Sequence, residues 1–270
     1  MHIINLPEDD PNKGSAARVV QRQGQIAQYV LDHGSANIKE LADLFGVSLI
    51  TAHRDLDELE RQGFLRKLRG YVTAQPSGLF DSNVRYRLRT ATAEKDALAR
   101  FALTQIEPGQ SVMLDESTTS LAIARLLHRK APLHVTTNFA MVLNELNEVK
   151  GIDLVSLGGE YLPALAAFSG EVCLASLAAV RSDVLFVSTS AVSRCVALHQ
   201  DERIMRGKRA MMDSADFRVL LVDHTKFGKT AFYKLAPLQD FDLVVVDSNI
   251  EEDHLDELRG CSVPVEIAPI

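Results

Sequence analysis

Tryptophan is absent from this chain, cysteine occurs three times in 270 residues, and aromatic side chains make up 6% of the total. Cys173, Cys195 and Cys261 are odd in number, far apart and without a CxxC pair. That pattern argues against a disulfide framework and against a zinc site, and the three read as buried thiols. Long apolar runs are also missing. Stretches such as Val219 to Val222 and Leu243 to Val246 fall far short of the roughly 20 residues a membrane helix needs. Residues Met1 to Asp10 have no basic start and no apolar stretch, and they carry Glu8, Asp9 and Asp10. No secretory signal is visible, and a cytoplasmic location is expected. His53, His128, His134, His199 and His224 show no HxxxH spacing, so no metal site is expected from them, and no cofactor is expected either.

What is present is an ordinary globular composition with an uneven distribution of charge. Hydrophobic residues are 46% and charged residues 24%, and the length allows one large domain or two unequal ones. The net charge is −7, yet residues 64–89 hold six Arg or Lys against Asp81 alone and are +5. Residues 1–63 sum to −4 and residues 90–270 to −8. A basic stretch beside an acidic body points to two modules and confines contact with a polyanion to one end of the molecule.

Residues 1–17 are polar, with Pro7, Pro11, Gly14 and Ser15, and read as a disordered tail. The interval 18–75 reads as a winged helix-turn-helix. A first helix carries Ile26, Tyr29, Val30 and Leu31 and stops at Gly34; a second carries Ile38, Leu41, Ala42 and Leu44 and ends at Phe45-Gly46. Ser48 is placed to cap a third helix whose inner face is Leu49, Ala52, Leu56 and Leu59. Its outer face then presents Ser48, Thr51, Arg54 and Asp55, in the half of the motif that enters the major groove. Two β-prone runs between Phe64 and Thr73 surround a basic tip of Arg66, Lys67 and Arg69, which suits a wing against the sugar-phosphate backbone. A basic linker is expected over 76–92, followed by an effector domain over 93–270.

That second domain alternates short apolar runs with helical stretches. The runs are Val112–Leu114, His134–Thr136, Leu154–Leu157, Leu185–Val187, Val219–Val222 and Leu243–Val246. Strands separated by helices predict an α/β fold with a mostly parallel sheet, whose ligands sit beyond the carboxyl ends of the strands. Those ends carry Asp115-Glu116-Ser117-Thr118-Thr119, Thr137-Asn138, Gly158-Gly159 and Asp223-His224-Thr225-Lys226. Hydroxyls, free backbone N–H groups and a lysine are a recipe for holding phosphate.

The residues Glu40-Leu41-Ala42, Val47-Ser48 and Thr51-Ala52-His53-Arg54-Asp55-Leu56 resemble the N-terminal signature of the DeoR family of bacterial transcriptional regulators. His53 stands where that family usually has an arginine, and Arg69-Gly70-Tyr71 replaces its common histidine-glycine-glycine. The resemblance extends over residues 90–248, through Asp115 with Thr118 and Thr119, Thr137-Asn138, Leu157-Gly158-Gly159, Lys208-Arg209-Ala210-Met211 and Asp223-His224-Thr225-Lys226-Phe227-Gly228. Ser117 takes a usual glycine position, and Ser188-Thr189-Ser190-Ala191 replaces a loop that commonly holds glycines and an aspartate.

The resemblance implies an effector domain related in fold to ribose-phosphate isomerases and a repressor of a sugar catabolic operon. It implies double-stranded operator DNA and a small phosphorylated sugar as partners. DNA contacts are expected from Ser48, Thr51, His53, Arg54, Arg66, Lys67 and Arg69. Effector contacts are expected from Asp115, Ser117, Thr118, Thr119, Asn138, Gly158, Gly159, Lys208 and Lys226. Glu116 would repel a phosphate unless it points away. Reading a two-fold symmetric operator calls for a homo-oligomer, a dimer or tetramer. The alternatives are a sugar-phosphate isomerase-like enzyme, with Asp115 or Glu116 as base and Lys226 as electrophile, and a regulator that has lost its ligand response.

Overall fold

The computed structural model describes residues 19, 22–27, 29–30, 33–61, 65–74 and 84–270. The expected tail over 1–17 and residues 76–83 of the expected linker lie outside them. The chain divides into two units, Met1–Phe80 and Asp81–Ile270. No helix among the described residues is long and apolar enough to cross a membrane.

In the first unit, residues 22–27 are helical, and Ile26 and Val30 are buried. A three-residue strand follows, β1 (Ser35–Asn37), then helix α1 (Ile38–Leu44) and helix α2 (Leu49–Arg61). Asn37 caps α1 by accepting the Lys39 N–H, and Ser48 caps α2 by accepting the Thr51 N–H at 3.2 Å. Between the helices Gly46 has φ +64°, a conformation that glycine adopts without strain. Strands β2 (Leu65–Leu68) and β3 (Tyr71–Ala74) form an antiparallel hairpin, and β1 pairs with β3 from Ser35↔Thr73 to Asn37↔Tyr71. The order β1-β3-β2 completes a winged helix-turn-helix.

Several expectations for this unit need correction. Strand β1 was not expected, because Ser-Ala-Asn has little β propensity and its pairing partner lies 36 residues away. Leu49, expected on the inner face of α2, is exposed at the start of that helix, as is Leu44 at the end of α1. Asp55, expected on the outer face of α2, is buried with Ala52, Leu56 and Leu59, for a reason given below.

The second unit opens with a helical turn, α3 (Val84–Arg87), and helix α4 (Thr92–Ala102). Then come strands β4 (Ser111–Leu114), β5 (Leu133–Thr137) and β6 (Ile152–Ser156), separated by α5 (Thr118–Ala124) and α6 (Ala140–Leu146). A small hairpin of β7 (Glu160–Leu162) and β8 (Ala167–Ser169) leads to α7 (Glu171–Leu177) and β9 (Ser182–Ser188). The rest comprises β10 (Ala191–Ser193), β11 (Val196–His199), α8 (Glu202–Asp213), β12 (Ala215–Val222), β13 (Tyr233–Pro237), β14 (Leu243–Asp247), α9 (Glu252–Arg259) and β15 (Val265–Ala268). All six expected strands fall in one seven-stranded sheet of order β15-β14-β12-β9-β4-β5-β6. Every pairing in it is parallel.

Successive side chains of a strand point to opposite faces, which explains the near-continuous apolar runs. Val112, Leu114, Val184, Phe186, Val219 and Leu221 enter one core with the inner faces of α4, α5 and α6. Met113, Leu185, Val187, Leu220, Val222 and Val246 enter the other, against α7, α8 and α9. A sheet covered on both faces must be apolar at consecutive positions.

The reading of all three cysteines as thiols is corrected. Cys195 and Cys261 form a disulfide across 66 residues, with Cα atoms 5.4 Å apart, and Cys173 alone is a free thiol. Cys195 lies in the turn between β10 and β11, Cys261 follows α9, and both reach the same core cluster. Sequence spacing carries no information about that proximity.

Candidate functional site

In the first unit α2 is held by its buried aspartate. Asp55 accepts hydrogen bonds from Arg22 Nε at 2.6 Å, Arg22 Nη2 at 3.1 Å and Gln23 Nε2 at 3.0 Å. A buried carboxylate persists only when it is paired, and this one ties α2 to the helical segment before β1. Arg54, one residue earlier, is exposed, and Thr51 and His53 are half-buried on either side of it. The Ser48 and Thr51 hydroxyls are 2.8 Å apart and hydrogen-bonded to each other.

On the wing, Arg66 and Arg69 are exposed. Lys67 is different. Its ammonium pairs with Asp57 of α2, and its backbone N–H donates to Glu60 Oε1 at 2.7 Å, so it braces the wing against the helix. Of the seven residues expected to meet DNA, Arg54, Arg66 and Arg69 present unburied cationic groups, Ser48 acts as a cap and Lys67 as a brace.

In the second unit the sheet order fixes where a ligand can sit. From β4 the chain runs outward through β5 and β6, then returns to place β9 on the other side of β4. The crevice beyond the carboxyl ends of β4 and β9 is the point where the winding direction reverses, the usual ligand position in open parallel sheets. A cavity opens there whose volume, mouth included, is about 660 Å³. Its walls come from the β4 end (Glu116 to Thr119), the β9 end (Ser188 to Ser190), His199 at the end of β11 and Gln200 after it, Lys208 of α8, and Asp223, Thr225 and Lys226 beyond β12. Arg87, Thr90, Ala91 and Lys95 add to it, with Leu165, Ile204 and Leu221 as its apolar part.

Asp115 anchors this crevice from behind. Its Oδ1 accepts from the Ser117 N–H at 3.1 Å and the Ser120 hydroxyl at 2.6 Å. Its Oδ2 accepts from the Ser188 N–H at 2.7 Å and Lys208 Nζ at 2.5 Å. One carboxylate thus joins the β4 loop, the β9 end and α8. Burial pushes its pKa up, but the charge of Lys208 and the donated hydrogen bonds outweigh burial and hold it below the usual carboxylate value. Lys208, also buried, has a second partner in Glu116 Oε1 at 2.8 Å. Burial disfavours its charge, and the two carboxylates overcome that and raise its pKa.

Glu116 lines the cavity but does not stand there as a bare charge: its side chain is spent on Lys208 and approaches Asn138 Nδ2 at 3.4 Å. Asn138 donates to the Phe168 carbonyl at 3.0 Å. Its Oδ1 is buried without a hydrogen-bond partner among the described residues.

Of the nine residues expected to contact an effector, Ser117, Thr118, Thr119, Lys208 and Lys226 line the cavity; Asp115, Asn138, Gly158 and Gly159 do not. The two glycines differ: a Cβ on Gly158 would meet nothing within 4 Å, whereas Gly159 is closely packed. A Cβ on Gly159 would come within 2.3 Å of the Ser169 carbonyl oxygen, so glycine there lets β8 approach closely. Arg87, Lys95 and His199 are among the lining residues missed as effector contacts. Arg87 reads as part of a basic linker; in the fold its Nη1 donates to the Glu116 carbonyl at 3.3 Å. Lys95 of α4 is buried, with Nζ donating to the Arg87 carbonyl and, at 2.6 Å, to the Thr90 carbonyl. His199, the third, is buried at the end of β11. None carries a local signal, because each reaches the cavity from a distant part of the chain.

A winged helix-turn-helix joined to a parallel α/β unit with a polar crevice at its switch point defines a DNA-binding regulator with a sensor domain. Residues 22–77 match the DeoR-like helix-turn-helix domain, and residues 90–248 match the DeoR C terminal sensor domain. The chain belongs to the DeoR family of transcriptional regulators. It is 31% identical over 249 residues to a putative aga operon transcriptional repressor of Escherichia coli O157:H7, covering 91% of this chain and 92% of that one. It is 30% identical over 249 residues to the glycerol-3-phosphate regulon repressor of Escherichia coli strain K12, covering 89% and 98%. Among solved structures, ribose 5-phosphate isomerase A from Methanocaldococcus jannaschii aligns with a TM-score of 0.37 at 15% identity, over 49% of this chain and 53% of that one.

Proposed function

We propose that this regulator represses a carbohydrate catabolic operon and that a phosphorylated sugar, bound in the Asp81–Ile270 unit, changes its grip on the operator. The observation that carries this reading is the composition of the switch-point cavity. Lys226, Lys95 and Arg87 stand among the hydroxyls of Ser117, Thr118, Thr119, Ser188, Thr189 and Ser190, a lining suited to a phosphate at one end and a polyol along the rest. The phosphate is assigned to Lys226, a cation of the cavity lining just beyond the carboxyl end of β12. Relatives named as repressors of the aga operon and of the glycerol-3-phosphate regulon support the repressor role.

The role is binding rather than turnover. Asp115, the first candidate base of an isomerase-like enzyme, is locked by four donors and held ionised, which leaves it a poor proton acceptor. The reading includes a cytoplasmic dimer or tetramer presenting two reading heads to a two-fold operator. A ligand shifts the DNA-binding equilibrium only by its differential affinity for the competent and incompetent states.

The test is to recover genomic fragments bound by the full chain and then titrate hexose, pentose and triose phosphates against the complex. Release or tightening by one of them, with Lys226→Ala weakening that effect and leaving unliganded DNA affinity unchanged, is the expected result. DNA binding that no sugar phosphate alters would overturn the effector assignment.

A further inference from the structure

The leading end of α2 carries an apolar side chain that nothing so far accounts for. Ile50, in the first turn of that helix, is 74% exposed, and Leu49 beside it is 49% exposed. Helical spacing explains the direction in which Ile50 points. At 100° per residue, Ile50, Arg54, Asp57 and Arg61 form one outward stripe, opposite the buried Ala52, Asp55, Leu56 and Leu59. Cα–Cβ bonds tilt toward a helix N-terminus, so Ile50 projects ahead of Arg54 on the same side. The polar groups of that turn are committed elsewhere: Ser48 accepts the Thr51 N–H, and the two hydroxyls bond each other.

Resting on the assignment of α2 as the DNA-reading helix, we propose that Ile50 is a base-reading residue that packs on the C5-methyl group of a thymine in each operator half-site. In the major groove the thymine methyl is the apolar feature by which one base pair is told from another. An aliphatic side chain one helical turn ahead of an exposed arginine divides the reading between them: Arg54 meets hydrogen-bonding base edges, and Ile50 meets a methyl. The occupant of this surface is DNA because the neighbouring exposed charges, Arg54 on the helix and Arg66 and Arg69 on the wing, complement phosphates rather than a second apolar surface.

The experiment uses the full chain and an operator recovered by selection from genomic DNA, with each thymine replaced in turn by deoxyuridine, which lacks only the methyl. At least one replacement per half-site is expected to weaken wild-type binding about fourfold, the change that corresponds to roughly 0.8 kcal/mol for one buried methyl-sized group. Ile50→Ala should bind the thymine operator more weakly and show no difference between thymine and deoxyuridine at that position, while Ile50→Val keeps part of the difference. Melting temperatures should be unchanged, since the side chain is exposed. The proposal is overturned if no deoxyuridine replacement matters, or if Ile50→Ala retains the full difference. It is equally overturned if Ile50→Ala changes the oligomeric state by sedimentation and its weaker binding follows from that. Failure to select any specific DNA would overturn the DNA-reading assignment of α2 itself, and this inference with it.

Discussion

Lys208 Nζ lies 2.5 Å from Asp115 Oδ2, and both side chains are withdrawn from solvent. The pair is separated by 93 residues and closes the wall between α8 and the strands on either side of the switch point. Removing one member of such a pair leaves an uncompensated buried charge. Lys208→Met, which also strands Glu116, is expected to lower the unfolding free energy by about 3–5 kcal/mol in urea titrations. A loss below about 1 kcal/mol would mean that water reaches these carboxylates.

Asp55 and Arg54 are neighbours in α2 with opposite roles. Arg54→Ala should leave thermal stability unchanged, while weakening operator binding more than binding to random DNA, because the side chain is exposed and its contact is with bases. Asp55→Ala removes the carboxylate that pairs with Arg22 and Gln23 and should destabilise the first unit by roughly 2–3 kcal/mol. It should weaken operator and random DNA alike. Equal losses on both DNAs for Arg54→Ala would contradict direct base reading.

His199 sets a pH dependence of stability. Burial, reinforced by the charge of Lys208, lowers its pKa to about 3 against the raising effect of the Asp201 backbone, whose N–H and carbonyl oxygen lie 3.1 and 3.2 Å from Nδ1. Between its unfolded value near 6.5 and about 3, the unfolded chain takes up a proton that the folded chain refuses. The contribution of His199 is therefore fully present above pH 6.5 and is lost as the pH falls, at no more than about 1.4 kcal/mol per pH unit. His199→Asn keeps an acceptor and cannot titrate. Unfolding free energies at pH 7 and pH 5 should converge between wild type and variant as the pH drops, and parallel curves would mean that His199 takes up its proton as readily in the fold as in the unfolded chain.

The Cys195–Cys261 bond predicts a thiol count. Denatured without reductant, the chain should titrate one thiol, that of Cys173, and three after reduction. In the folded protein Cys173 should resist alkylation, since burial first and then the charge of Glu116 push its pKa up to about 11. Reduction should cost roughly 2–4 kcal/mol of stability, as expected for a bridge closing a long loop. Three thiols without reductant would remove the bridge.

The parallel sheet and the winged helix were legible in the sequence because both rest on local periodicity. Apolar runs such as Val219 to Val222 announce strands buried on two faces, and Ile38, Leu41 and Ala42 announce a helix with one buried side. The polar clusters at the strand ends were legible as candidates for the same reason: a strand that stops at Asp115 or Asp223 leaves its next residues at the ligand-binding edge of the sheet.

Other features depend on which distant segments meet. The sequence by itself determined two modules, their order, their classes of secondary structure and the chemistry available at each strand end. Only the tertiary structure decided that Arg87 and Lys95 belong to the cavity wall, that Asp55 turns inward to Arg22, that Gly159 serves packing against Ser169, and that Cys195 meets Cys261. The physical reason is the same in each case. A charge, a glycine or a thiol has no fixed meaning until its neighbours are known, because its energy is set by pairing and burial rather than by propensity. Apolar periodicity carries its meaning within a single element.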